Sequence, residues 1–189
     1  MEGELDKTLV HIDSSSVDFQ PGGKYAFSIN LLEPLRDVVY IMILKTEITL
    51  KKDIGGNTDG KYMMNDIDLA NLTDTDSVPI HIHLNNYTRY SSVVSNDGEK
   101  HVAKYFEHIP VKISSLDTSR DVSTFGNQLF ATFHRNNQNV YTLNPIELNL
   151  QKLNFELRDK HDIPIDKKNI SQFSMTLCMY QNCKRISMA

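Results

Sequence analysis

The sequence has few cysteines, with only Cys178 and Cys183 among its 189 residues, and it has no tryptophan. If both cysteines lay on one extended strand, they would be about 16 Å apart at ~3.3 Å per residue, too far for a disulfide. We therefore expect two free thiols, as is usual for a protein in a reducing compartment.

Long apolar segments are also missing. The longest apolar run, residues 38–44, is much shorter than the roughly 20 residues that a helix needs to cross a bilayer. The opening residues, MEGELDKTLV, are acidic and have no apolar signal-peptide core. The sequence therefore predicts a chain that neither spans a membrane nor carries a secretory signal.

Positive charge is not in excess, because 20 Lys and Arg stand against 24 Asp and Glu, for a formal net charge of -4. Such a balance gives no broad basic surface for a phosphate backbone. The pair Lys184 and Arg185 is too short to anchor a nucleic acid and reads as a solvated tail. We expect no direct contact with nucleic acid.

Catalytic motifs are absent from the sequence. It contains no Gly-x-Ser-x-Gly, phosphate-binding loop, dinucleotide fingerprint, His-Glu-x-x-His or Cys-x-x-Cys. The serines of IDSSSVDF, residues 12–19, have no recognisable base beside them. The segment DIGGNTDG, residues 53–60, does not match an EF-hand loop and predicts a glycine-rich hairpin loop. We expect no enzyme activity and assign no catalytic, cofactor-binding or metal-binding residue.

What the sequence does contain is apolar residues at a spacing of two, which predicts an all-β fold. Its length suits one domain, residues 1–189, with short tails at 1–7 and 182–189. Many short strands between Gly, Pro, Asn and Asp turns indicate a sandwich or barrel. The predicted strands are residues 8–12, 25–31, 38–50, 80–84, 87–94, 101–106, 110–113, 129–134, 139–143, 146–157 and 173–180.

Three details refine this prediction. In residues 146–157 the apolar set is Ile146, Leu148 and Leu150 and then changes phase, which predicts a one-residue bulge near Gln151 and Lys152. Residues 65–73 favour a short helix. The polar middle third, between Leu50 and Pro110, predicts loop insertions, where function often lies.

Two histidines, His81 and His83 in IHIHL, are predicted to project from one strand face about 7 Å apart, with Ile80, Ile82 and Leu84 facing the core. A metal site needs at least a third ligand, which His101 or His108 could supply only through folding. An ordinary surface face is the alternative, and it is the interpretation adopted. Tyr87, Tyr90 and Tyr105 suit either protein contacts or core packing.

Two regions carry a resemblance. VHIDSSSVDF and YAFSINLLEPLRDVVYIMILKTEITL resemble the opening of single jelly-roll minor capsid proteins of large double-stranded-DNA viruses. LNPIELNLQKLNFELRDKHDIPIDKKNISQFSMTLCMY resembles the closing strands of the related penton, or vertex, proteins, in which Leu-x-Phe-x-Leu-x-Asp leads through Ile-Asp to a final Phe-Ser-x-x-Leu strand. Here those are residues 153–159, 165–166 and 173–177. The family usually has an Asp-Gly turn where this chain has residues 160–164.

The resemblance implies a jelly-roll sandwich of two antiparallel four-stranded sheets, with the last strand paired inside a sheet. It implies a structural protein of the virion, assembled in the host cytoplasm, most simply a penton that forms homopentamers at the icosahedral five-fold vertices. Its partners would be copies of itself and neighbouring major or minor capsid proteins. A minor, cement-type capsid protein is the alternative. A lectin- or cupin-like ligand-binding jelly roll is the rival from another class, and His81 and His83 would be its first residues to test.

Overall fold

The computed structural model describes residues 5–51, 63–64, 67–68, 77–96, 98–112, 128–134 and 140–182. Among them, antiparallel β-structure dominates, and two short 3-10 turns lie at Ser14–Ser16 and Lys167–Asn169. No described segment forms a helix long and apolar enough to cross a membrane. The strands are β1 (Leu5–Asp13), β2 (Ala26–Lys51), β3 (Met63–Met64), β4 (Ile67–Asp68), β5 (Ser77–Leu84), β6 (Tyr90–Asn96), β7 (Glu99–Tyr105), β8 (Glu107–Lys112), β9 (Gln128–His134), β10 (Val140–Arg158) and β11 (Ile170–Asn182).

One sheet contains most of these strands. Its seven members follow the order β1-β11-β2-β10-β5-β8, and β9 also pairs with β2. β9 and β10 lie along the same edge of β2 one after the other, because Lys45 pairs with His134 and Met42 pairs with Val140. Two small sheets, β3-β4 and β6-β7, complete the described part of the chain.

The long strand β2 curls over itself. Phe173 of β11 pairs with Ile48 of β2, yet its ring also lies 6.0 Å from the ring of Phe27, near the start of β2. Residues 27 and 48 are 21 positions apart, so a straight strand would separate them by roughly 70 Å at ~3.3 Å per residue. Breaks in the pairing register and the positive φ of Asp37, 51°, accompany the bending.

The curled sheet encloses one main hydrophobic core. The core residues occupy alternate positions along the strands, as expected for strands that bury one face. Phe27 stacks on its cross-strand neighbour Phe155, with ring centroids 5.3 Å apart. Ile80, Ile82 and Leu84 face this core, as the sequence predicts.

The first and last described strands, β1 and β11, are neighbours in the sheet. β11 lies between β1 and β2, so the predicted pairing of the last strand inside a sheet is confirmed. Leu5 pairs with Asn182 and Lys7 with Tyr180. The predicted tail over residues 1–7 is therefore wrong for residues 5–7, which belong to β1.

The predicted irregularity near Gln151 is confirmed in place, although its form differs. Leu150 pairs with Leu35, but Lys152 pairs with Asn30. One residue on β10 therefore faces four on β2, residues 31–34, and the extra residues belong to β2. β2 bulges outward there, and the Leu32 side chain is fully exposed. The alternation of apolar residues along β10 reveals the phase change, but it does not show that the extra residues lie on β2.

Other expectations need correction. The two four-stranded sheets are not confirmed, because the described strands form one curled sheet and small hairpins. Within the predicted helix at 65–73, Ile67–Asp68 form a strand, and the remaining residues lie outside the described ones. Of the alternating apolar set Ile146, Leu148 and Leu150, only Leu150 is buried. The middle third, predicted to hold loop insertions and three strands, supplies β3 to β8 where it is described.

Candidate functional site

The β6–β7 hairpin forms a separate flap attached beside β5. Asn96 pairs with Glu99, and Gly98 adopts a φ of +83°, which glycine accommodates in a tight turn. The inner face of the hairpin buries a small apolar cluster distinct from the main core, made by Val94, Ala103 and Tyr105 with Tyr90. The outer face is exposed along both strands; it carries Ser91, Val93, Ser95, Lys100, Val102 and Lys104.

His81 lies directly under the hairpin. Its imidazole stacks on the ring of Tyr105, with centroids 4.1 Å apart and planes 8° apart. The side chain is buried, only 3% exposed, and its Nδ1 has no hydrogen-bond partner. Burial in this site lowers the pKa of His81 to about 4, because a charged ring would lose its hydration. His81 is therefore a neutral, packed ring near pH 7.

His83 has a different environment on the same strand. Its Nε2 lies 3.2 Å from Oδ1 of Asp162. Asp162 also accepts a hydrogen bond from Nη1 of Arg158 at 3.2 Å, and Nε2 of His101 lies 3.9 Å from its second oxygen. Burial lowers the pKa of His83, and the nearby Arg158 guanidinium lowers it further. One carboxylate thus joins β5, β10 and the hairpin.

The turn after β10 is built by Asp159. Its buried carboxylate accepts hydrogen bonds from the backbone N–H groups of His161, at 2.8 Å, and Ile163, at 3.0 Å. Asp162 has a positive φ of 64°. The ring of His161 reaches the hairpin, where its Nδ1 lies 2.6 Å from the carbonyl oxygen of Ser95. Because a carbonyl only accepts, this nitrogen carries the proton.

The remaining side of the site comes from β8. His108 is the register partner of His81, and its ring meets those of Tyr90 and Tyr105 edge-on, at 5.5 and 6.1 Å. The neighbouring Glu107 is fully buried and lies 3.6 Å from the guanidinium of Arg89. Five of the seven histidines therefore converge here, namely His81, His83, His101, His108 and His161.

The metal hypothesis for these histidines gains no support. The fold does bring His101 and His108 close to His81 and His83, which a metal site built from these histidines would require. Within the described ranges, however, no three His, Cys, Asp or Glu side chains are arranged to hold a metal ion. His81 packs on Tyr105, and His83 is paired with Asp162. We assign no metal ligand in this cluster.

Sequence reasoning missed His161, Asp162 and Arg158 as members of the site. Arg158 is the register partner of His81, a relation that only the sheet order supplies. Of the tyrosines, Tyr90 and Tyr105 pack in the hairpin cluster, while the hydroxyl of Tyr87 donates to Glu147 at 3.2 Å.

Other segments considered in the sequence have structural roles or lie outside the described residues. In IDSSS, Asp13 accepts a hydrogen bond from the Ser15 N–H, and the Ser14 hydroxyl accepts one from the Phe173 N–H. Ser14 and Asp13 thus have structural contacts in and around this turn. Residues 53–60, Cys183, Lys184 and Arg185 lie outside the described residues.

A second surface feature lies at the β1 edge of the sheet. The bulge of β2 and the outward side of β1 line an open groove of about 550 Å³, which we call the β1 groove. Leu9 and Leu32 are its exposed apolar members, and Glu33 stands among its lining residues.

Comparison with known proteins finds a weak structural likeness and no family match. No protein-family model and no curated protein matches the chain. Among solved structures, a chain from a crystal structure of the T13 IBDV viral particle aligns with 93% of this chain at 9% identity and a TM-score of 0.30. This chain spans 31% of the length of that one. A likeness at this level assigns neither a family nor a function.

Proposed function

We propose that this chain is a structural subunit of a viral capsid, and in its finer form the penton that forms homopentamers at five-fold vertices. The resemblance of its opening and closing strands to jelly-roll capsid proteins suggests the class. The all-β sheet, with the last strand between the first and the second, agrees with that resemblance.

The observation that carries the proposal is a pair of exposed apolar surfaces on different parts of the sheet. The β1 groove lies at one end of the strand order, and the hairpin is attached to β5, near the other end. On the hairpin, Val93 and Val102 face each other across the two strands and are 70% and 58% exposed. We take these exposed apolar side chains as the contact sites between subunits, because contiguous exposed apolar patches are typical of protein-association surfaces.

Two different surfaces on one chain suit head-to-tail contact between copies, in which the groove of one subunit receives the hairpin of the next. Charge supports this arrangement. Lys100 and Lys104 flank Val102 on the exposed hairpin face, whereas Glu33 lies in the groove lining. Such contacts close into a ring when the rotation per copy divides a full turn, and five copies would form the penton.

The test uses one charged substitution in each surface. Leu32→Asp in the groove and Val93→Asp on the hairpin should each abolish the oligomer that the unaltered chain forms at high concentration, measured by native mass spectrometry. Asn144→Asp, which adds the same charge at an exposed site outside both surfaces, is the control and should still assemble.

Mixing the two variants distinguishes contact types. A head-to-tail contact leaves one intact groove and one intact hairpin in the mixture, so a heterodimer should form and grow no further. A stable wild-type dimer, or assembly by both single variants, would contradict the ring. A position away from the five-fold axis in a particle reconstruction would favour the minor-capsid alternative.

A further inference from the structure

The contacts that hold the hairpin on the sheet are dominated by histidine. The apolar cluster of the hairpin, Val94, Ala103 and Tyr105 with Tyr90, is separate from the main core. The hairpin could therefore separate from the sheet without opening that core. Its attachment depends on the stack of Tyr105 on His81 and on the contacts of His101 and His161.

His81 is the contact most sensitive to protonation. The ring is buried, and its two register neighbours are Arg158 on β10 and His108 on β8. A proton on His81 would place a poorly hydrated cation in this site, where the His83 and His108 imidazoles disfavour it. The face of Tyr105 attracts a cation, but a cation–π contact offsets only part of such a desolvation cost.

Groups of both signs face this ring. Asp159 and Asp162, from the turn after β10, favour the charged ring, whereas His83 on the same strand and His108 on β8 disfavour it. From the hairpin come Tyr90, Tyr105 and His101, and the Glu107–Arg89 pair borders the site. The carboxylates are partly committed, since Asp162 binds Arg158 and Asp159 binds backbone N–H groups. Burial therefore outweighs the attraction.

One contact acts in the opposite direction. A protonated His101 would form an ion pair with Asp162 across 3.9 Å, and this would hold the hairpin in place. The His101 side chain is 44% exposed, so solvent screens that pair and its contribution is small.

We propose that the β6–β7 hairpin is an acid-released flap, which stays on β5 while the His81 ring is neutral and separates when the ring takes up a proton. Separation would expose the inner faces of Tyr90 and Tyr105 together with the histidines of β5. The proposal stands apart from the capsid assignment, because it concerns the isolated chain.

The sign and size follow from linkage. In the docked state the pKa of His81 is about 4, against the ordinary value of 6.5 when the ring is released into water. The released state then binds more protons between these values, so the contribution of His81 to docking is fully present above its ordinary pKa of 6.5 and is lost as the pH falls toward 4. At pH 5 the ratio of released to docked hairpin should rise roughly 30-fold over its value at pH 7.5.

Hydrogen exchange of backbone amides reports this release on the full chain, because β6 and β7 pair only with each other and a two-stranded hairpin released into water is marginally stable at best. After correction for the intrinsic effect of pH on exchange, protection of β6 and β7 should fall roughly 30-fold from pH 7.5 to pH 5. Protection of β11 in the main core should not change. Equal protection of the hairpin at both pH values, or an equal loss in β11, would overturn the proposal.

Substitutions test the role of the named ring. His81→Phe keeps a flat ring against Tyr105 but cannot be protonated, so the hairpin should remain protected at pH 5. His81→Asn repeats the test with a polar, non-titrating side chain should the Phe variant lose protection in β11. His11→Phe is the matched control, since His11 is exposed on β1 and outside the cluster. A pH-dependent loss that persists in both His81 variants would show that His81 is not the trigger.

Discussion

The hydroxyl of Ser14 accepts a hydrogen bond of 2.8 Å from the backbone N–H of Phe173, 159 residues further along the chain. Ser14 begins the 3-10 turn after β1, and Phe173 lies near the start of β11. Both residues are buried. The serine-rich motif near the N-terminus thus satisfies an amide of the last strand, and the two ends of the chain depend on each other.

Ser14→Ala should lower the free energy of unfolding by about 1–3 kcal/mol, because it leaves a buried N–H without an acceptor. Ser15→Ala is the control, since the Ser15 side chain is exposed and the substitution keeps the backbone N–H that donates to Asp13. Urea unfolding midpoints of both variants provide the measurement. Equal midpoints would show that the Ser14 bond does not stabilise the fold.

A charge placed in the core should be far more harmful than the same charge on the surface. Leu177 is completely buried, whereas Leu148 is exposed on β10. Leu177→Asp should destabilise the protein by several kcal/mol (about 3–5), because it buries an unpaired carboxylate or forces its protonation. Leu148→Asp should change stability by no more than about 0.5 kcal/mol. Thermal melting compares the two, and similar melting temperatures would contradict the burial of β11.

The turn after β10 should depend on the Asp159 carboxylate. Asp159→Ala removes the acceptor of two backbone hydrogen bonds and should cost about 3 kcal/mol. Asp159→Asn keeps an acceptor oxygen at the same position and should lose distinctly less stability than Asp159→Ala. Denaturant unfolding of the pair gives the comparison. A loss as large in the Asn variant would mean that the charge, and not the acceptor geometry, stabilises the turn.

Cys178 should be unreactive in the native protein, because it is a free thiol with no exposed surface. Alkylation under native, non-reducing conditions should leave it unmodified. The same reaction in denaturant should modify both Cys178 and Cys183, as two reduced thiols require. Peptide mapping by mass spectrometry distinguishes the sites. Rapid native modification of Cys178 would contradict the close packing of β11.

Spacing-two alternation located the paired strands well, since residues 173–180 lie within β11 and residues 80–84 within β5. The same alternation runs through Ile146 and Leu148, and yet both side chains are exposed. Alternation reports which residues share a strand face, but the partner strands decide whether that face is covered.

Side-chain alternation along single strands was enough to predict the class of fold, the phase change at Gln151 and the inward face of Ile80, Ile82 and Leu84, because each depends on neighbours along one strand. Three-dimensional folding was needed to show that β2 curls until Phe27 meets Phe173, and that His81 is the register partner of both Arg158 and His108 and stacks on Tyr105. Those relations join residues tens of positions apart. They depend on strand order and register, which the side-chain pattern of any single strand does not encode.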